Sequence, residues 1–401
     1  MSSAYYTYYY INYVNNDFHY HQPFDSRDIA RLSKDKVILI TGANAGLGKA
    51  TAKLLAQAGE ASVVIMACRD MNKCENARAD ILNDILNDLN SITRSNYRST
   101  HDGQRQLQQP KLIPLQVDLA SLESIQKLAH NLQQYDNGYD GTDINIAGEG
   151  TAGTGTKLDI VINNAGIMGV PYQLARDSKV EMQMHVNHLA HFALISLLAK
   201  HSLLSNRARI VNVSSLAGSF PFLNLNDVNF EHGFRATFRR YFGTLQSIIS
   251  YGASKRANLL FTHALNDRDH PHPFSKCANI TAVVAHPGYS RTSIMYNGWV
   301  FAPSYIKRFF GTNRLGSMSS EEGAISQLRA ALDVDHVAAN SYVGPLYFTT
   351  GRPVVVGNSM KSFHHFFWSF EDADVRKIAN DLWKFSEDSI GGLKFQDDCS
   401  L

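Results

Sequence analysis

The sequence predicts an α/β domain built on a mostly parallel sheet with helices on both faces. Two observations carry this. Short apolar runs recur along the 401 residues, namely KVILIT, ASVVIMAC, KLIPLQVD, LDIVINN, ARIVNVSS, ITAVVAH and YVGPLYF, and longer helical patterns separate them. Continuous apolar strands alternating with helices belong to a parallel sheet covered on both sides. The first run also leads directly into a glycine-rich turn and an amphipathic helix, TGANAGLGKATAKLLAQAG.

Composition sets outer bounds. A hydrophobic content of 44% with 18% charged residues is ordinary for a globular chain able to bury a core, and a net charge of +2 gives no footprint for nucleic acid. Four cysteines, at 68, 74, 277 and 399, have neither C-x-x-C spacing nor disulfide-framework density, so a reducing compartment is expected. No apolar run reaches the roughly 18 residues of a spanning helix, and the N-terminus lacks a signal-peptide pattern. The expected location is the cytoplasm or the cytosolic face of a membrane.

Taken in order, residues 1–34 are crowded with tyrosine and asparagine and lack helical periodicity, so they read as a flexible extension. Residues 35–360 hold the domain, and 361–401 form a C-terminal segment. At the first strand-to-helix turn, Gly42, Gly46 and Gly48 let backbone approach a pyrophosphate, whose charge suits the N–H groups of the helix N-terminus. An ATP-type phosphate loop fails on spacing, because Ala43 and Ala50 stand where it needs glycine and serine or threonine. After the second run, Arg69 stands near the position where NAD sites carry an acid. A cation there suits a ribose 2′-phosphate, so NADP(H) is preferred to NAD(H). Asp70 reads as the cap of the next helix.

Two stretches near 91–110 and 136–156, the first polar and the second glycine-rich, are expected to be surface loop insertions. In SIISYGASKRANLLF, Tyr251 and Lys255 sit four apart on a helix, about 5–6 Å at Cβ. A fixed ammonium there favours the phenolate and brings the tyrosine nearer to a useful acid/base pKa. His185, His188 and His191 recur at intervals of three, but no carboxylate or cysteine accompanies them, so no metal site is expected.

The glycine turn, NNAG from Asn163, VNHLAHF around Asn187, NVSS ending at Ser215, the Tyr251–Lys255 pair and HPGYSRT from His286 occur in one order. Together they resemble the short-chain dehydrogenase/reductase family, most closely its retinol dehydrogenase, WW-domain oxidoreductase and protochlorophyllide reductase branch. The resemblance runs from about Lys36 to Phe348 and implies a single doubly wound domain of Rossmann type with seven parallel strands. It further implies that Tyr251 exchanges a proton with the substrate oxygen, Ser215 hydrogen-bonds that oxygen, Lys255 holds the nicotinamide ribose, and Asn187 holds a relay water. Cofactor contacts would come from Gly42, Asn44, Gly46, Leu47, Gly48, Arg69, Asp118, Leu119, Asn164, Ala165, Gly166, Pro287, Gly288 and Thr292, with Tyr251 and Lys255. Asn163 would be mainly structural, and Asp118 has the alternative of capping the following helix.

The expected activity is therefore an NADP(H)-dependent interconversion of an alcohol with an aldehyde or ketone. The aromatic segment YNGWVFAPSYIKRFFG reads as a substrate lid suited to a lipophilic compound, or alternatively as a membrane-surface contact. SFHHFFWSF reads as a closure of the same pocket or as part of a homo-oligomer interface. A cofactor-sensing interaction protein without turnover is the rival of another class.

Overall fold

The computed structural model describes residues 23–61, 63–96, 111–136, 157–219, 222–233, 236–237, 243–269, 280–290, 318–346, 350–358 and 372–391. Helix α1 (Ser26–Ser33) precedes strand β1 (Val37–Thr41), and helix α2 (Gly46–Ala58) and strand β2 (Val63–Cys68) follow. Then come α3 (Met71–Asn96), β3 (Lys111–Gln116), α4 (Leu122–Asp136) and β4 (Leu158–Asn163). A short turn at Met182–Met184 and a π-turn at His185–Leu189 lead into α5 (Ala190–Lys200). The chain continues through β5 (Leu204–Val213), α6 (Gly243–Asn266), β6 (Thr281–Ala285), α7 (Ser320–Leu332), β7 (Ser341–Pro345), β8 (Pro353–Asn358) and α8 (Asp372–Ser389).

The apolar runs become strands because both of their faces are covered. Every residue of β1 and β2 is buried. Successive side chains of a strand point to opposite faces, and the core divides accordingly. Leu39, Ile65, Val161, Ile210 and Val284 join Phe192 and Phe261 on one side, where α4, α5, α6 and α8 lie. Ile38, Ile40, Val64, Ile162 and Val211 join Ile29, Leu55 and Leu328 on the other, where α1, α2 and α7 lie.

The sheet order is β3-β2-β1-β4-β5-β6-β7-β8. Strand β1 pairs in parallel with both β2 and β4, through Leu39 opposite Ile65 and opposite Val161. The order therefore reverses between β1 and β4, and a crevice opens beyond their carboxyl ends, the place where such sheets take ligands.

Four expectations need correction. The seven expected strands are present and parallel, but an eighth, β8, adds antiparallel to β7 through Val343 opposite Val355. The N-terminal extension does not run to residue 34 as irregular chain. Asp25 and Asp28 form a reciprocal capping box that starts α1, and Ile29 is buried among the residues beneath it. The stretch from residue 91 is not all loop, because α3 continues to Asn96. Leu89 and Ile92 extend the helical spacing of Ile81, Leu82, Ile85 and Leu86. Finally, Cys68 and Cys74 are joined as a disulfide where none was expected, since the turn from β2 into α3 brings their Cα atoms to 5.9 Å.

The C-terminal segment contributes α8, whose Val375, Ala379, Leu382 and Trp383 are buried in the domain core. The readings of residues 1–22, 97–110, 137–156, 291–317 and 359–371 lie outside the described residues, and Thr292 and the aromatic stretches fall there. No helix among the described residues is long and apolar enough to cross a membrane.

Candidate active site

The glycine turn is shaped by close packing of β1's end against β4's end. Gly42 has φ +69°, and a Cβ on it would lie 3.0 Å from both Cα and Cβ of Ala165. A Cβ on Gly48 would collide with the Gly42 carbonyl oxygen and sit 2.6 Å from Asn164 Nδ2. These glycines leave the start of α2 bare. Its N-cap, Ala45, provides no side-chain hydrogen bond to the first turn, so the helix N-terminus keeps amide groups available to an anion. Asn44 lies half-buried in the turn. Leu47 packs toward α7, where a Cβ on Gly323 would come within 2.8 Å of its Cδ2. Lys49 faces away from the turn, its ammonium 2.6 Å from Asp80 on α3, which agrees with rejecting an ATP-type loop.

The opposite lip is knitted to the first by Thr41. Its hydroxyl oxygen accepts from the amides of Asn164 and Ala165, both at 3.0 Å, while Asn164 Nδ2 donates to the Thr41 carbonyl at 2.8 Å. Asn163 is structural, donating through Nδ2 to Asn212 Oδ1 at 2.8 Å. Beyond β2, Arg69 is exposed. Asp70 caps α3 by accepting from the Lys73 amide at 3.1 Å. Asp118 accepts from the Ala120 amide at 3.0 Å and closes a tight turn, with Leu119 buried beside it. It does not cap α4, because Ser121 takes that place by accepting from the Ser124 amide.

The proposed catalytic groups converge. Tyr251 and Lys255 lie on α6, and Ser215 follows β5 close enough to the Tyr251 phenol to pull its pKa down. The neighbouring Ser214 donates to the Lys255 carbonyl at 2.8 Å. Asn187 sits in the π-turn, a deviation that often marks functional positions. Its Nδ2 donates to the Ile167 carbonyl and to Ser254 Oγ, both at 2.9 Å, and its Oδ1 accepts from the Ile167 amide at 2.8 Å. A Cβ on Gly166 would stand 3.2 Å from Asn187 Oδ1 and 3.4 Å from Lys255 Nζ. Glycine at 166 thus lets the NAG turn, Asn187 and Lys255 meet.

Burial pushes the Tyr251 phenol up to about 12, and hydrogen bonding with Ser215 pulls it the other way. Tyr251 is half-buried, and desolvation is the main influence on its phenol. The Lys255 ammonium donates to the Val213 carbonyl at 2.9 Å and lies 5.7 Å from the Tyr251 ring centre. Burial brings Lys255 down to about 8.

The three histidines take separate partners. His185 meets Ser178 Oγ at 2.8 Å, His188 meets Ser386 Oγ at 2.8 Å, and His191 meets Thr41 Oγ1 at 3.0 Å. At the end of β6, His286 Nδ1 accepts from the Gly288 amide at 3.1 Å, and the Pro287 carbonyl accepts from Ser290 Oγ at 2.6 Å. Gly288 has φ +65°, a left-handed conformation that glycine adopts without strain. Thr41 and His191 border the candidate site without having been singled out for it in the sequence. The signal available was threonine immediately before the first turn glycine, and a histidine four residues beyond Asn187.

The residues present fit a nicotinamide dinucleotide, because Gly42, Gly48 and Gly166 allow close backbone packing at the ends of β1 and β4, and the bare end of α2 borders the crevice there. The short chain dehydrogenase family model matches residues 36–226. Human retinol dehydrogenase 13 is 34% identical over 259 residues, 65% of this chain and 60% of that protein. The mouse retinol dehydrogenase 12 is 30% identical over 361 residues, 89% of this chain and 86% of that protein. The aligned part thus spans somewhat less than two thirds of the first relative and most of the second. A crystal structure of an uncharacterised protein from Mycobacterium Paratuberculosis superposes with a TM-score of 0.56 at 28% identity, covering 94% of this chain and all of that one. Fold order, site layout and these relatives agree: the chain belongs to the short-chain dehydrogenase/reductase family, in its retinol dehydrogenase branch.

Proposed function

We propose that this protein is an NADP(H)-dependent oxidoreductase that interconverts a lipophilic alcohol with its aldehyde or ketone. The observation that carries the reading is the meeting of Tyr251, Ser215, Lys255 and Asn187 at the switch-point crevice, with Gly166 between the last two. The bound cofactor supplies or accepts the hydride. Tyr251, with its pKa pushed up to about 12, holds its proton at neutral pH and donates it from Oη to the carbonyl oxygen during reduction. Ser215 hydrogen-bonds the same oxygen and steadies the charge that develops there. Lys255 carries positive charge at neutral pH and compensates the phenolate left behind. Asn187 anchors the Gly166–Ile167 backbone that borders the reacting groups.

Two features favour a lipophilic substrate. Phe222 lies against α6 beside Tyr251, since a Cβ on Gly252 would come 2.8 Å from its Cδ2. The named relatives are retinol dehydrogenases, whose namesake substrate is a lipophilic alcohol.

The test is NADPH consumption at 340 nm by the purified protein against retinal, aliphatic aldehydes, steroids and quinones. Tyr251→Phe should lower kcat at least about a hundredfold on any accepted substrate while leaving NADPH affinity within a few-fold. Full turnover by Tyr251→Phe would remove the proposed acid.

A further inference from the structure

We propose that His191 is a positioning residue that ties the cofactor-side turns to Asn187, so that the two lips of the crevice and the catalytic helix are set by one imidazole. The inference rests on the oxidoreductase reading for its consequence, but its geometry stands without it.

The ring is 1% exposed and bridges two partners. Nδ1 lies 3.1 Å from the Asn187 carbonyl oxygen, and Nε2 lies 3.0 Å from Thr41 Oγ1. A carbonyl only accepts, so Nδ1 must carry the proton. In the neutral ring Nε2 then accepts, and the Thr41 hydroxyl must donate to it. That assignment satisfies the hydroxyl completely. Its two lone pairs take the amides of Asn164 and Ala165, each at 3.0 Å, and its proton goes to His191. The rival acceptor for that proton, the Ile162 carbonyl, is farther away at 3.4 Å.

A charged ring does not fit the arrangement. A proton on Nε2 would face a hydroxyl oxygen whose lone pairs are already used, and Lys255 is a nearby cation that opposes a second one. Burial adds to this and lowers the His191 pKa to about 4, so the bridge persists through the physiological range. The line Ala165–Thr41–His191–Asn187 therefore runs from the turn that shapes the cofactor crevice to the residue that holds Ile167 and borders Gly166.

The two ends can be cut separately. A side-chain amide at the Nδ1 position is retained by His191→Asn, and one at the Nε2 position by His191→Gln. His191→Asn should speed hydrogen exchange at the Asn164 and Ala165 amides of the cofactor-free protein. It should also raise the NADPH dissociation constant roughly three- to tenfold, the worth of one lost hydrogen bond, a larger change than any in kcat. His191→Gln should leave that exchange and affinity near the parent values and lower kcat instead. Exchange and affinity unchanged in both variants, or both variants failing alike on every readout, would overturn the proposal. Should neither variant fold, the ¹⁵N spectrum of the unsubstituted protein decides, since a neutral Nδ1–H tautomer for His191 upholds the bridge and an Nε2–H tautomer refutes it. An unsubstituted protein without turnover would remove the oxidoreductase reading while the amide-exchange result still judged the bridge.

Discussion

Glu181 is a carboxylate only 1% exposed at the entrance to the helix that carries Asn187. It accepts from the Gln183 amide at 2.9 Å and the Met184 amide at 3.1 Å, yet burial outweighs these bonds and pushes its pKa up to about 7. The unfolded chain would ionise it near 4.3. Between those values the folded state holds more protons than the unfolded state, so stability falls as pH rises from about 4.3 to 7. Glu181→Gln keeps an oxygen for the two amides and removes this dependence. Urea denaturation at pH 5 and pH 8 should show the parent losing up to about 3 kcal/mol more than the variant. Equal losses would mean that the carboxyl is not desolvated as its burial implies. The same contest between burial and partners explains why Tyr251 was only half legible in the sequence. Helical spacing correctly brings Lys255 to its neighbourhood, but spacing carries no information on desolvation or on the Val213 carbonyl that takes the ammonium.

At the level of elements, α8 locks onto the back of the catalytic helices. Trp383 meets Phe192 edge-on at 4.9 Å between ring centres and Phe261 at 6.0 Å, and Ser386 meets His188 at 2.8 Å. Phe261 belongs to the helix of Tyr251 and Lys255, and His188 adjoins Asn187. Trp383→Ala should therefore lower stability by about 3–5 kcal/mol, measured by chemical denaturation, and a loss under 1 kcal/mol would place α8 outside the cooperative core. The sequence did not disclose this docking, because the amphipathic pattern of α8 fixes a buried face without naming its partner. It missed α1 for a different reason. Asp25 and Asp28 cap each other, but the usual box carries Ser or Thr with Glu or Gln, and the tyrosine-rich residues ahead masked an eight-residue helix. Strand β8 escaped notice because its apolar run is short and begins with Pro353, a residue confined to edges and strand ends.

On the scale of the whole molecule, the parallel core was readable because strands buried on both faces must be apolar throughout, whereas the strand order, β3-β2-β1-β4-β5-β6-β7-β8, depends on pairings that apolar runs do not encode. The order also decides how a cofactor would act on stability. The crevice takes one lip from the β1 turn and one from the β4 turn, so a ligand lying across it joins both halves of the sheet. A ligand that binds only the folded state adds RT ln(1 + [L]/Kd), about 2.7 kcal/mol at a hundred times Kd. For a domain of this size that corresponds to a thermal midpoint raised by roughly 5 °C. NADPH and NADH share every group except the 2′-phosphate, and Arg69 is the exposed cation expected to meet it. At equal concentrations NADPH should therefore raise the midpoint more than NADH. Arg69→Ala should bring the NADPH shift down to the NADH value and leave the NADH shift alone. Equal shifts in the unsubstituted protein would overturn the preference for NADP(H), whereas shifts lowered alike by Arg69→Ala would place the arginine on a part of the cofactor common to both.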